Sequence, residues 1–126
     1  MARILVVDDE RHIRDWYSLE FTEMGYEVSA TGSCHKLMKR MEIFQPDLVI
    51  LDIRLVDCDG LEILQEIRSS NPDLPIIVCS AYDSYRDDAK TLAADYYVVK
   101  SFDLTGLKEK VERALEAGTS FLTDAV

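Results

Sequence analysis

Runs of consecutive aliphatic residues alternate along this chain with segments whose apolar positions recur every three or four residues. The apolar runs are Arg3-Ile4-Leu5-Val6-Val7, Asp47-Leu48-Val49-Ile50-Leu51-Asp52, Ile76-Ile77-Val78-Cys79 and Tyr96-Tyr97-Val98-Val99, and Tyr26 to Ala30, interrupted by Glu27 and Ser29, is read as a short second strand. Unbroken apolar runs of this length predict strands covered on both faces, as in a parallel sheet. Helical spacing appears between them. Ile13, Trp16, Tyr17, Phe21 and Met24 predict a helix from about Glu10 to Met24, ended by Gly25. Leu37, Met38, Met41 and Phe44 predict a second, starting at Ser33 as its N-cap. Leu61, Ile63, Leu64 and Ile67 form the stripe of a third, entered through a turn at Asp59-Gly60. A fourth is predicted from Tyr82 to Ala94 with a thin apolar face (Ala89, Leu92, Ala93), hence loosely held. The last carries Leu104, Leu107, Val111, Ala114 and Leu115, with Gly118 as its stop.

Five strands alternating with five helices predict an α/β fold: a five-stranded parallel sheet with helices on both faces, taken as doubly wound in the order 2-1-3-4-5, one of the common orders of such sheets. At 126 residues the chain fits one domain, drawn here as residues 1–118 with a tail at 119–126.

Charge and cysteine content narrow the function. The balance of 24 acids against 14 bases, a formal net charge of −10, repels phosphate backbones and anionic lipid surfaces. Neither direct nucleic-acid binding nor membrane binding is expected; a divalent cation or a basic partner suits the chain better. Cys34, Cys58 and Cys79 are odd in number and lack CxxC spacing, so neither a disulfide framework nor a zinc site is expected. Met1-Ala2-Arg3-Ile4 leads straight into a strand with no signal sequence, and no apolar stretch is of spanning length. A reduced, cytoplasmic setting follows as the expectation.

Chemistry concentrates where strands end. In open α/β sheets ligands bind beyond the carboxyl ends of the strands. Those ends carry Asp8, Asp9 and Glu10 after the first strand, Asp52 after the third, Ser80 after the fourth and Lys100 after the fifth. Asp9 can cap the helix that follows, but capping accounts for one acid and not for a cluster. With the first and third strands adjacent, Asp8, Asp9 and Asp52 share a pocket, where like charges repel unless a cation intervenes. Hard oxygen donors with room for water select Mg²⁺ or Mn²⁺. A metal, a lysine and a hydroxyl around one carboxylate form a kit for phosphoryl transfer, with Asp52 as nucleophile. The acids near Asp57 and Asp59 do not make a calcium loop, since Leu55 stands where the first carboxylate is needed and a strand precedes. His12 is read as a solvated side chain, and His35, Lys36, Lys39 and Arg40 as a solvated helix face.

Asp8-Asp9 after the first aliphatic run, Leu51-Asp52-Ile53 with Asp59-Gly60 downstream, Ser80-Ala81, and Ala94-Asp95-Tyr96-Tyr97-Val98-Val99-Lys100 followed by Phe102 together resemble the CheY-like receiver domain of two-component response regulators. The resemblance covers residues 3 to about 117. It implies a phosphorylation switch, not an enzyme in its own right, although it assists its own phosphorylation and dephosphorylation. Asp52 is then the phosphoacceptor, supplied from a phosphohistidine of a sensor histidine kinase or histidine phosphotransfer protein. Asp9, Asp52 and the Arg54 carbonyl hold Mg²⁺, with Asp8 assisting through water. Ser80 and Lys100 sense and neutralise the phosphoryl group, and Tyr97 is the aromatic that follows the hydroxyl and remodels a surface read by a downstream protein target or effector domain. Arg54 and Tyr82 are expected to flank the phosphoryl group and limit water access.

The pattern departs from the family in places. Leu55-Val56 replaces the usual Met-Pro, Ala93 a common glycine, and Ser101 the proline that normally follows the lysine through a cis bond. A cis bond to a non-proline residue costs about 2.5–4 kcal/mol. A trans or rearranged Lys100-Ser101 link is therefore predicted, with Lys100 aimed less firmly. Two rival readings remain: a pseudo-receiver that only binds partners, and a flavodoxin-like cofactor protein or small hydrolase. The acids after the first strand would repel the phosphate that the second rival needs there.

Overall fold

Five parallel strands form one sheet, as the alternation predicts, in the expected doubly wound order β2-β1-β3-β4-β5. They are β1 (Arg3–Val7), β2 (Glu27–Thr31), β3 (Leu48–Leu51), β4 (Ile76–Ser80) and β5 (Tyr96–Val99). The computed structural model describes residues 1–83 and 86–124, with side chains as far as residue 116. Four α-helices, α1 (Arg11–Glu23), α2 (Leu37–Phe44), α3 (Gly60–Ser70) and α4 (Thr105–Asp124), cover the sheet.

The unbroken aliphatic runs have a direct physical reading. Successive side chains of a strand point to opposite faces, so a strand covered on both sides must be apolar throughout. Ile4, Val6, Leu48, Ile50, Ile77 and Cys79 pack with Tyr17, Phe21, Leu107 and Val111 of α1 and α4. The alternate set, Leu5, Val7, Val49, Leu51, Ile76 and Val78, packs with Leu37, Met41, Leu64 and Ile67 of α2 and α3. β1, β3 and β4 are almost wholly buried, while β2 and β5, at the edges, are only partly so.

Arginines tie the end of the sheet opposite the carboxyl termini of the strands. Arg68, near the end of α3, donates to the carbonyls of Asn71, Pro72, Leu74 and Ala93 and pairs with Asp95 at 2.8 Å. Arg3 donates to the Phe44 carbonyl and to Glu27, and its backbone N–H to Asp47.

Local signals worked unevenly. Gly25, at φ +96°, ends α1 as expected, because that left-handed conformation suits glycine. Asp59 Oδ1 accepts from the Leu61 N–H and starts α3. The second helix begins at Leu37 and not at Ser33, because the Ser33 hydroxyl is engaged in a turn: it accepts from the His35 N–H and donates to Asp57 Oδ2. Asp8, and not Asp9, makes the turn into α1, accepting from the Glu10 N–H at 2.9 Å. Gly118 does not stop the last helix, whose backbone continues to Asp124; glycine there lowers helix propensity by roughly 1 kcal/mol without forbidding the conformation. The fourth predicted helix is, among the described residues, only a 3-10 helix at Ala89–Ala93, capped by Asp88, with Leu92 83% exposed. Its three apolar positions are too few to hold longer α-helix against the sheet. Ser84 and Tyr85 of that segment, and Ala125 and Val126 of the predicted tail, lie outside the described residues.

Cys34 and Cys58 overturn the expectation of unpaired thiols. They form a disulfide, with Cα atoms 6.5 Å apart, joining the loop before α2 to the loop before α3. That proximity comes from the packing of two loops and leaves no mark in local spacing. Cys79 is the free thiol among the described residues, buried as expected, with its sulfur 3.4 Å from the Tyr17 hydroxyl.

Gly60 sits where chain meets chain: its N–H bonds the Ile53 carbonyl at 3.1 Å, and a Cβ there would lie 2.1 Å from that oxygen. Gly60→Ala should destabilise the fold by at least about 2 kcal/mol in urea melts, because rigid backbone must move. Gly106→Ala, in the first turn of α4 with nothing within 4 Å of the added carbon, should instead raise stability by about 0.5 kcal/mol.

Candidate functional site

Asp8, Asp52, Ser80 and Lys100 stand at or one position beyond the end of a strand, where backbone bonds extend the sheet; Asp9 and Arg54 follow two and three positions after their strands, and Tyr97 lies within β5. The Asp8 N–H bonds the Thr31 carbonyl at 3.0 Å, the Asp52 N–H bonds Val7 at 2.9 Å, and the Lys100 N–H bonds Ser80 at 2.7 Å. The ladder thus sets the backbone position of Asp8, Asp52 and Lys100, and of these Asp52 and Lys100 line the cleft described below.

The two buried aspartates are bound in the same way. Asp8 and Asp52 are 3% and 4% exposed. One oxygen of each accepts the N–H two residues on, Glu10 for Asp8 and Arg54 for Asp52. The other oxygen of each meets the Lys100 ammonium, at 2.7 Å from Asp8 and 3.2 Å from Asp52. Lys100 is thus aimed at both acids although its link to Ser101 is trans, as predicted. Arg14 adds a further cation, donating to the Asp8 carbonyl.

Burial, then repulsion from Asp8, raises the Asp52 carboxyl above its ordinary range, against the opposing pull of Lys100 and the Arg54 N–H. Burial alone would lower Lys100, but the hydrogen bond and charge of Asp8, then Asp52, outweigh it and raise the ammonium. A raised lysine contributes stability that is complete below its unfolded pKa and is lost as pH climbs through the folded value.

A cleft of about 310 Å³ opens over this cluster, lined by Asp9, Glu10, Asp52, Arg54, Tyr82 and Lys100 among others. Carboxylate oxygens of Asp8, Asp9 and Glu10 all lie within 4.8 Å of one another. Hard oxygen donors facing a solvent-open cleft fit a small divalent cation that keeps part of its water shell. Arg54 stacks over the Tyr82 ring at 4.8 Å, and the two form the rim.

Not every predicted residue meets the acids. Ser80 is fully buried, and its hydroxyl oxygen accepts from the Tyr82 N–H at 3.1 Å. The Tyr97 hydroxyl lies outside the cleft and donates to the Tyr82 carbonyl, with Arg86 over its ring. His12 pairs with Glu10 at the surface. Sequence reasoning missed the Asp8–Lys100 contact, which is shorter than the one Lys100 makes with Asp52.

The family model of the response regulator receiver domain matches residues 4–112. The chain belongs to that family. The receiver is 38% identical over 120 residues to the DNA-binding transcriptional regulator NtrC of Azospirillum brasilense, covering 94% of this chain and 25% of that protein. Across the curated relatives it spans between 25% and 57% of their length. Among solved structures it is similar to the response regulator TrrA of Thermotoga maritima in complex with Mg²⁺ and BeF, at 46% identity and TM-score 0.87, covering 91% of this chain and 100% of that one. TrrA in complex with the histidine kinase ThkA gives 46% identity and TM-score 0.85, covering 91% and 99%. No helix of the receiver, among the described residues, is long and apolar enough to cross a membrane.

Replacing Lys100 by Met leaves two buried carboxylates without a facing cation and should cost roughly 3 kcal/mol at pH 7. Protonating an aspartate relieves that repulsion, so the deficit should shrink in urea melts at pH 5.

Proposed function

We propose that this receiver is a phosphorylation switch that takes a phosphoryl group from a phosphohistidine onto Asp52. The observation that carries the reading is the convergence of Asp8 and Asp52 on one lysine beneath a cleft rimmed by Asp9 and Arg54. The carboxylates of Asp9 and Asp52 and the Arg54 carbonyl would hold Mg²⁺ or Mn²⁺, with Asp8 acting through water. The cation, when bound, neutralises charge on the phosphoryl oxygens.

The chain's own residues do the rest. An Asp52 oxygen attacks phosphorus as the phosphorus–nitrogen bond of the donor imidazole breaks. Lys100, already in contact with Asp52, takes up charge on the transferred group without having to be recruited. The Ser80 hydroxyl turns from the Tyr82 N–H toward a phosphoryl oxygen. Because Tyr82 bonds Ser80 through its N–H and Tyr97 through its carbonyl, that turn frees both contacts in sequence. Tyr97 then moves, and a partner protein or effector domain reads the changed surface around β5. The phosphoryl energy biases an equilibrium between two arrangements. A donor kinase places this chemistry in the cytoplasm.

Incubation with acetyl phosphate and Mg²⁺ should add one phosphoryl group by intact-mass measurement to wild type and none to Asp52→Asn. Uptake by both, or by neither, would leave a protein-interaction module as the better reading. Arg54→Ala, which strips the rim, should dephosphorylate several-fold faster when the same mass signal is followed over time.

A further inference from the structure

Cys34 and Cys58 are half-buried and lie at the apex of two loops beside the cleft. Disulfides are uncommon where thiols are kept reduced, and those that do form there are mostly transient or redox-sensing. A receiver served by a histidine kinase works in such a compartment, so a permanent staple is the less natural role for this bond. Their Cα separation of 6.5 Å lies inside the range that a disulfide spans, so the pair can close and open without moving the sheet.

The bond also sits where it can matter. Cys58 adjoins Asp59, which bridges Arg54, and the Arg54 N–H bonds Asp52 Oδ1 at 3.1 Å. Both stems of this loop are fixed already, by the Ile53–Gly60 bond at 3.1 Å and by the start of α3. Nearer the strand the loop is also held by Leu55, which packs on the core, and by Arg54 on the Tyr82 ring; its tip at Asp57-Cys58 is held by the disulfide and by the exposed contacts of Asp57 with Ser33 and Cys34. Opening the bond therefore loosens the tip, which begins next to the exposed Val56 of the cleft wall and ends next to Asp59, the bridge partner of Arg54.

We propose that Cys34 and Cys58 are a reversible redox couple whose state sets the mobility of the 53–59 loop and, through it, the lifetime of the phosphoryl group on Asp52. The compartment argument and the second half rest on the phosphorylation reading above. Closure is thiol–disulfide exchange with a small-molecule disulfide. One cysteine thiolate attacks it and releases one small thiol, and the other cysteine then displaces the second. The pair loses two electrons and two protons, which appear in the two small thiols. Cys79, 2% exposed, takes no part.

The test compares the full chain after glutathione disulfide with the chain after dithiothreitol, beside Cys34→Ser and Cys58→Ser. Alkylation and intact mass should show two labelled cysteines after reduction and none after oxidation in wild type. Hydrogen exchange across residues 53–59 should slow at least about tenfold on oxidation, and the acetyl-phosphate-derived phosphoryl group should last at least about threefold longer. Both differences should vanish in either variant. Failure of the pair to close, equal exchange in the two states, or equal phosphoryl lifetimes despite unequal exchange would each overturn the proposal. A chain that accepts no phosphoryl group in either state refutes the phosphorylation reading and the lifetime coupling together, while the exchange measurement still decides the loop mobility.

Discussion

Two carboxylates removed from water and set close together are unfavourable unless a cation stands between them, and the candidate site is organised by this constraint. Asp8 and Asp52 come from neighbouring strands, so the sheet that buries their backbones also forces their charges together. Lys100 reaches them from the far side of β4. A single ammonium cannot fully offset two acids together with Asp9 and Glu10, so the cluster keeps a negative excess. The site is therefore electrostatically ready for a divalent ion and, with that ion in place, for an anionic phosphoryl group.

The same economy appears in how the site connects to the surface. Ser80 is buried and Tyr97 is only partly so. Tyr82 joins them with its two backbone groups, one bonded inward and one outward. Arg54 packs on the Tyr82 ring, so the rim of the cleft and the path to Tyr97 share one residue. In the proposed switch, sharing one residue is how a change at Ser80 would be passed to Tyr97.

Much of the fold was legible because burial imposes periodicity. Unbroken apolar runs suit strands covered on both faces, so strand number and direction followed, and with the first and third strands as neighbours so did the gathering of Asp8 and Asp52; the contact of Asp8 with Lys100 did not. What escaped depended on contacts between distant loops. Ser33 has the chemistry of an N-cap, but Asp57, 24 residues on, takes its hydroxyl and delays α2 to Leu37. Cys34 and Cys58 pair through those same two loops. The segment before β5 had helical spacing without enough apolar surface to fix it, and Leu92 stays in solvent. Gly118 reads as a stop only where the chain must turn left-handed, and α4 makes no such turn there.

The arginine ties at the opposite end of the sheet give the molecule a polarity of stiffness. Arg68 alone gathers four carbonyls and a carboxylate from the approaches to β4 and β5, while Arg3 fastens β1 to the end of α2. That end behaves as an anchored base, and the loops that carry chemistry hang from the free end like reeds from a clamp. If Asp52 is modified as proposed, the arginine-tied base is the part of the molecule least free to adjust, and the accommodation falls to the loops around the mouth.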